Sequence, residues 1–205
     1  MEKAIKSHPD AKWKVVAFHH DIYGSGQPHS DFDGANLRTI FAPLMDKYDI
    51  DVCLTGHDHS YARTYQIIDG TAIDYGEKEA VDPEGTLYIA AGSASGSKFY
   101  NLATQKQYYI AERSNNQLPT YSTIDFTDSQ FTIKTYDYEG NEYAKPFSIK
   151  KNGKETAADL IKKAKGLSSS VYSEESLKKV QEAVDALNAI IASTSQDKGC
   201  LLYTS

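Results

Sequence analysis

Val52-Cys53-Leu54-Thr55-Gly56-His57-Asp58-His59 is the stretch that decides how the chain reads. Its apolar run predicts a buried strand, Gly56 a tight turn at the carboxyl end, and the histidines beyond it a pair of metal-type ligands. In an extended segment residues two apart point to one side, so His57 and His59 are expected to share a cavity. A second apolar run, Val15-Val16-Ala17-Phe18, ends in His19. Between the two runs, Leu37, Ile40, Phe41, Leu44 and Met45 repeat at helical spacing within residues 35–48. Strand, helix, strand predicts a parallel sheet with a right-handed crossover. Both strands then deliver imidazoles from their carboxyl ends, where open α/β sheets place their sites. Pro43 lies inside the helical pattern and predicts a kink or two shorter pieces.

Further along, residues 61–68 read as a strand closed by Asp69-Gly70, and residues 86–91 as another. Residues 120–126 and 131–138 read as a hairpin pair, with a last strand near 146–149. Residues 20–34 are polar, contain Gly24, Gly26 and Pro28, and read as a long loop of the kind that carries function. Residues 4–6 suit a short helix. The first unit is expected to span residues 1–150. Residues 154–195 read as a small all-α segment. Thr156 is expected to cap a helix to Lys165, stopped by Gly166, and Ser173 to cap a longer one. Tyr172 and Leu177 stand at the two positions of a hydrophobic staple. Leu177, Val180, Val184, Leu187 and Ile191 form one apolar seam. Residues 200–205 fit nothing before them, resemble translated sequencing-adapter tails, and are expected to be non-native.

With 205 residues, 40% apolar and 24% charged, the chain suits one ordinary domain plus something small. The net charge of −6 argues against a nucleic-acid binder. No apolar run approaches the roughly 18 residues of a membrane span. Residues 1–6 are not followed by the apolar region of a signal peptide. Cys53 reads as a small apolar side chain, with no disulfide to Cys200 expected. Each histidine alone reads as an ordinary surface or core residue. His19, His57 and His59 together, each at a predicted strand end, read as a metal site.

Val16-Ala17-Phe18-His19 and Gly56-His57-Asp58-His59 resemble the VxxH and GHxH motifs of the calcineurin-like metallophosphoesterases. Residues 13–20 with Tyr23, and Ser60-Tyr61-Ala62-Arg63 after the second motif, narrow the resemblance to the purple acid phosphatases. Gly85-Thr86-Leu87-Tyr88-Ile89 with Gly92-Ser93 extends it, over about residues 4–150. The resemblance implies an α/β fold, the α+β sandwich of that superfamily, here without its N-terminal part and followed by the helical segment. It implies two divalent or trivalent transition-metal ions, iron with zinc, manganese or a second iron. By motif position His19 and His57 would bind one metal and His59 the other. His29 falls near histidines that hold the phosphate or protonate the leaving alcohol, and it reads equally as a solvated loop residue. His20 is the weaker candidate for substrate binding, since strand alternation turns it away from His19. Arg63 is expected to be structural, for instance paired with Asp58, and His8 to lie on the surface.

The family's three earlier motifs, an aspartate, GDxxY and GNH, do not precede His19. The chain is therefore expected to be the C-terminal part of a longer phosphomonoesterase and to be nearly inactive alone. Two alternatives stay open: a phosphodiesterase or nucleotidase of the same superfamily, and a non-catalytic surface-binding module. The expected partner is a small phosphate ester, with no nucleic acid. Residues 157–161, 171–177 and 183–187 resemble the helical FIVAR repeats of Gram-positive surface proteins. That resemblance implies an extracellular or cell-wall-associated parent.

Overall fold

The computed structural model describes residues 1–27, 32–151, 164 and 173–200. The chain divides into two compact units, Met1–Asn152 and Gly153–Ser205. The first begins with a short helix α1 (Glu2–Ser7), strand β1 (Val15–Phe18), helix α2 (Phe32–Tyr48) and strand β2 (Val52–Thr55). There follow β3 (Tyr61–Ile68), β4 (Thr71–Ile73), β5 (Glu79–Val81), β6 (Thr86–Ala91), β7 (Ile110–Ser114), β8 (Thr120–Phe126), β9 (Gln130–Asp137) and β10 (Glu142–Lys150).

Two sheets result. One has the order β1-β2-β6-β3-β4, with β7 also paired to β3. The other has the order β5-β10-β9-β8. β1 and β2 run parallel in the register Val15↔Val52 to Phe18↔Thr55, so the two histidine-bearing strand ends lie side by side. β6 continues the parallel set, Val52↔Leu87 to Thr55↔Ala90. β3 then runs antiparallel to β6. Asp69 and Gly70, both at positive φ, make the tight turn from β3 into β4.

Strand alternation sorts the apolar residues into two cores. Cys53, Tyr88 and Ala90 join Ala42 and Met45 of α2, with Ile22, Tyr23, Tyr109 and Ile110. Val52, Leu87 and Ile89 point the other way, to Phe131, Ile133, Phe147 and Ile149 of the second sheet. β2 and β6 are therefore covered on both faces, which is why they read as continuous apolar runs. Trp13 packs at the margin of the second core. Its ring centroid is 6.0 Å from Phe126 and 6.3 Å from Phe131, and its indole N–H donates to the Thr127 carbonyl at 2.8 Å.

Four expectations need correction. β1 is an edge strand, half-buried rather than buried, because it pairs only with β2 and leaves Val15 and Ala17 exposed. Of the two outcomes expected at Pro43, two shorter pieces do not occur: α2 is one helix that contains it. The hydrogen bond lost at the proline is offset by the packing of Leu37, Phe41, Ala42, Met45 and Tyr48 on the first core. Ile40, counted above in the apolar pattern, is instead exposed. The loop between β1 and α2 is also shorter than expected, since the helix begins at Phe32 and residues 21–26 are all buried.

In the second unit, α3 (Glu174–Cys200) is opened by Ser173, whose Oγ accepts the Ser176 N–H at 3.3 Å. Glu174 and Glu175 occupy the first turn, where the helix dipole favours anions. Val184 is buried and Leu177 and Val180 are half-buried. The expected helix over 156–165, apart from helical Ala164, the Tyr172 half of the staple and residues 201–205 lie outside the described residues.

Candidate functional site

The parallel pairing of β1 with β2 ends at Phe18↔Thr55, and His19 and Gly56 leave the two strands together. The Gly56 N–H donates to the His19 carbonyl at 3.0 Å, which ties the two exits. His57 follows with φ +62°, in the left-handed region, and the Asp58 N–H turns back to the Gly56 carbonyl at 2.6 Å. A bulky L-residue costs about 1–2 kcal/mol there, so this turn is held by its surroundings.

The turn brings His57 Nδ1 to 3.3 Å from His19 Nε2, with ring centroids 5.2 Å apart at 78°. Two nitrogens bound at about 2.0–2.1 Å to one tetrahedral zinc stand about 3.3–3.4 Å apart. The observed separation is that of a hydrogen bond between the two rings and also of that edge, so the pair could hold one ion between them. His20 lies in the same cluster, its ring 4.5 Å from His57 at an interplanar angle of 35°. Strand alternation does not turn it away, because β1 has ended at Phe18.

His59 has different neighbours. Its Nδ1 lies 2.8 Å from the Lys98 carbonyl, and its ring is 5.0 Å from that of Tyr100. A carbonyl only accepts, so Nδ1 donates and Nε2 is the nitrogen turned to other partners. That is the usual second partner of a ligating histidine. Residues 56–60 are a turn and not an extended strand, so the simple alternation expected of His57 and His59 does not apply. Among the described residues, no group of three or more histidine, cysteine or acidic side chains has the geometry to hold a metal ion. His29 lies outside the described residues.

Arg63 does not meet Asp58. Its guanidinium packs 4.2 Å from the Phe147 ring centre, and Nη2 lies 3.5 Å from Glu112 Oε2. Asp58 instead accepts from Ser25 and Gly26 N–H at 2.9 and 2.6 Å. His8, as expected, is exposed.

Sequence reasoning missed the strap formed by residues 21–26. Its polar composition reads as solvated, yet distant groups satisfy it. The Tyr109 hydroxyl donates to the Gly24 carbonyl at 3.1 Å, Arg38 Nε to the Ile22 carbonyl at 2.5 Å, and the Ala103 N–H to the Ser25 carbonyl at 2.8 Å. Burial beneath this strap pushes the Tyr109 phenol up to about 12. The signals available in the sequence were Gly24 and Gly26, which leave room for close approach.

No family model matches the chain. It is 26% identical over 134 residues to a phosphoenolpyruvate phosphatase from Allium cepa, covering 64% of this chain and 25% of that protein. It is 26% identical over 151 residues to purple acid phosphatase 1 of Ipomoea batatas, covering 70% and 28%. Purple acid phosphatase PPD1 from yellow lupin (Lupinus luteus) seeds superposes with a TM-score of 0.59 at 17% identity, over 73% of this chain and 28% of that one. The chain thus spans about a quarter of the length of the curated relatives it matches. The chain is similar in sequence to purple acid phosphatases over about a quarter of their length, and it has the mixed α/β fold of the corresponding part of the lupin protein.

Proposed function

We propose that this chain is the His19- and His57-bearing part of a metallophosphoesterase that hydrolyses small phosphate monoesters. The observation that carries the reading is the 3.3 Å approach of His19 Nε2 to His57 Nδ1, at the carboxyl ends of adjacent parallel strands. His19 and His57 would hold one transition-metal ion and His59, through Nε2, a second. Iron with zinc, manganese or a second iron suits such a pair. A metal pair, when bound, supplies Lewis acidity toward the phosphoryl oxygens and a water acidic enough to serve as nucleophile near neutral pH. His20, exposed and with its ring 4.5 Å from that of His57, would contact the phosphate. His29 is assigned from the sequence alone as the residue that protonates the leaving alcohol, a step suited to imidazole near neutral pH.

Three histidines are too few donors for two ions, so the reading calls for further ligands and has the chain by itself nearly inactive. The proposal extends to its setting. The parent acts outside the cell or at the cell wall, and its partner is the ester and not nucleic acid. No described helix is long and apolar enough to cross a membrane.

Cobalt(II) titration of the chain, with turnover of p-nitrophenyl phosphate in parallel, tests the reading. The expected result is one bound ion, lost in His19→Ala and His57→Ala, with no hydrolysis. Metal-dependent hydrolysis by the chain would overturn the inactivity, and the absence of any metal binding would overturn the site. A second reading, a binding module on a phosphoesterase scaffold, is favoured by the lack of a three-residue metal group among the described residues. It predicts that His19→Ala leaves cobalt(II) uptake unchanged.

A further inference from the structure

Asp58 stands between the two candidate ligands His57 and His59 and is completely buried. Burying a polar group costs free energy unless it is hydrogen-bonded. Its Oδ2 accepts two consecutive backbone N–H groups, from Ser25 at 2.9 Å and Gly26 at 2.6 Å. Both donors belong to the buried 21–26 strap that continues from His19-His20. The carboxylate therefore joins the segment after β1 to the turn after β2, across 32 and 33 residues of sequence.

The strap is shaped to receive it. A Cβ on Gly24 would lie 2.1 Å from Asp21 Oδ2 and 2.5 Å from Asp58 Oδ2. A Cβ on Gly26 would lie 1.9 Å from Asp58 Oδ1 and 2.9 Å from Ser60 Oγ. The space of two absent side chains is taken by carboxylate oxygens. The turn at His57 is thus pinned from both sides, by Gly56 N–H on the His19 carbonyl and by Asp58 on the strap. Such double pinning is what a residue at φ +62° requires to stay there.

We propose that Asp58 is the positioning residue of the site. It holds His57 in its left-handed turn and so keeps the His19 and His57 nitrogens at ligand spacing. The inference rests on the metal-site reading above for its consequence, but the positioning itself is visible without metal.

The experiment uses the 205-residue chain, isotopically labelled, as wild type, Asp58→Asn, Asp58→Ala and Gly26→Ala. A Phe147→Leu control lowers stability from the second core, away from the strap. Three quantities are read: hydrogen exchange at the Ser25 and Gly26 amides, the imidazole signals of His19 and His57 without metal, and cobalt(II) affinity. In Asp58→Ala the two amides lose protection and both imidazoles shift. Cobalt(II) affinity falls by about 10–100-fold, the scale for losing an outer partner of a metal ligand. Asp58→Asn keeps all three near wild type, because its amide oxygen accepts the same two N–H groups. Phe147→Leu lowers stability and moves none of them. Unchanged imidazole signals and cobalt(II) affinity in Asp58→Ala would overturn the proposal. If Asp58→Ala does not fold, Gly26→Ala carries the test, since its methyl displaces the same carboxylate. If wild type takes up no cobalt(II), the metal reading fails, while the imidazole and amide signals still decide the role of Asp58.

Discussion

Gly85 precedes β6, the strand between histidine-bearing β2 and antiparallel β3, and replacing it with alanine should be costly for two separable reasons. Its φ is +86°, where an L-residue costs about 1–2 kcal/mol. An alanine Cβ would also lie 2.5 Å from the Ile67 carbonyl oxygen and 2.6 Å from its carbon, backbone atoms of β3 that no rotamer change can move aside. Displacing packed structure of this kind costs about 1–3 kcal/mol, so the total is about 2–5 kcal/mol. Gly70 supplies the control, because its φ is +69° and a Cβ there meets nothing within 4 Å. Gly70→Ala should therefore cost only about 1 kcal/mol, part of the strain being offset by a less free unfolded chain. At a urea slope of about 2 kcal/mol/M, the two variants should differ in midpoint by about 1 M. Trp13, the one tryptophan in the sequence, reports the transition through its fluorescence, since it packs on Phe126 and Phe131 of the second sheet. Equal midpoints for the two variants would refute the close approach of Gly85 to β3.

Other consequences are as direct. Burial holds Tyr61 and Tyr109 at about 12 and Tyr88 higher still, against about 10 in an unfolded chain. The folded state then keeps protons that the unfolded state releases, so stability should hold below pH about 10 and be lost as pH rises toward about 12. Phenolate absorbance and Trp13 fluorescence should change together, and early titration of all fifteen tyrosines in folded protein would contradict this. The Cys53 thiol, pushed up to about 12 by burial, should resist alkylation in a Cys200→Ser background until urea unfolds the chain. Glu112→Ala should cost about 3 kcal/mol by stranding the buried Arg63, and the double variant Arg63→Met/Glu112→Leu should recover most of it in urea titrations. If the proposed site is right, His57→Ala should weaken cobalt(II) binding by more than Asp58→Ala does, as calorimetry would show, because it removes a proposed ligand and not its support.

The elements most legible in the sequence are those whose burial is local. β2 and β6 are apolar on both faces, so Val52-Cys53-Leu54 and Leu87-Tyr88-Ile89 declare themselves. The β8–β9 hairpin is visible because Thr127, Asp128 and Ser129 separate two alternating runs. β4, β5 and β7 are not visible. Ile110-Ala-Glu-Arg-Ser is a strand only because β3 lies beside it, and Glu79-Ala-Val only because β10 does. At the site, the neighbouring exits of His19 and His57 follow from strand order. The meeting of His20 with His57 does not, because it depends on where β1 stops. The partners of Asp58 were hidden for the same reason: two backbone N–H groups carry no side-chain signal, and the available cation, Arg63, is held by Glu112 and Phe147.

The strand order also sets a timetable. β8, β9 and β10 follow one another along the chain and pair with their immediate neighbours, so that meander closes through short turns. β2 and β3 are consecutive yet do not pair, because β6 must arrive from beyond β5 and enter between them. Non-local parallel pairing of this kind closes large loops before any contact repays them, and it is slow. We predict that pulsed hydrogen exchange finds Phe131 and Ile133 protected before Cys53 and Ile89, with the opposite order refuting it. The histidines then come together only when the slower sheet closes, so a newly made chain spends its first moments with the His19 and His57 rings apart.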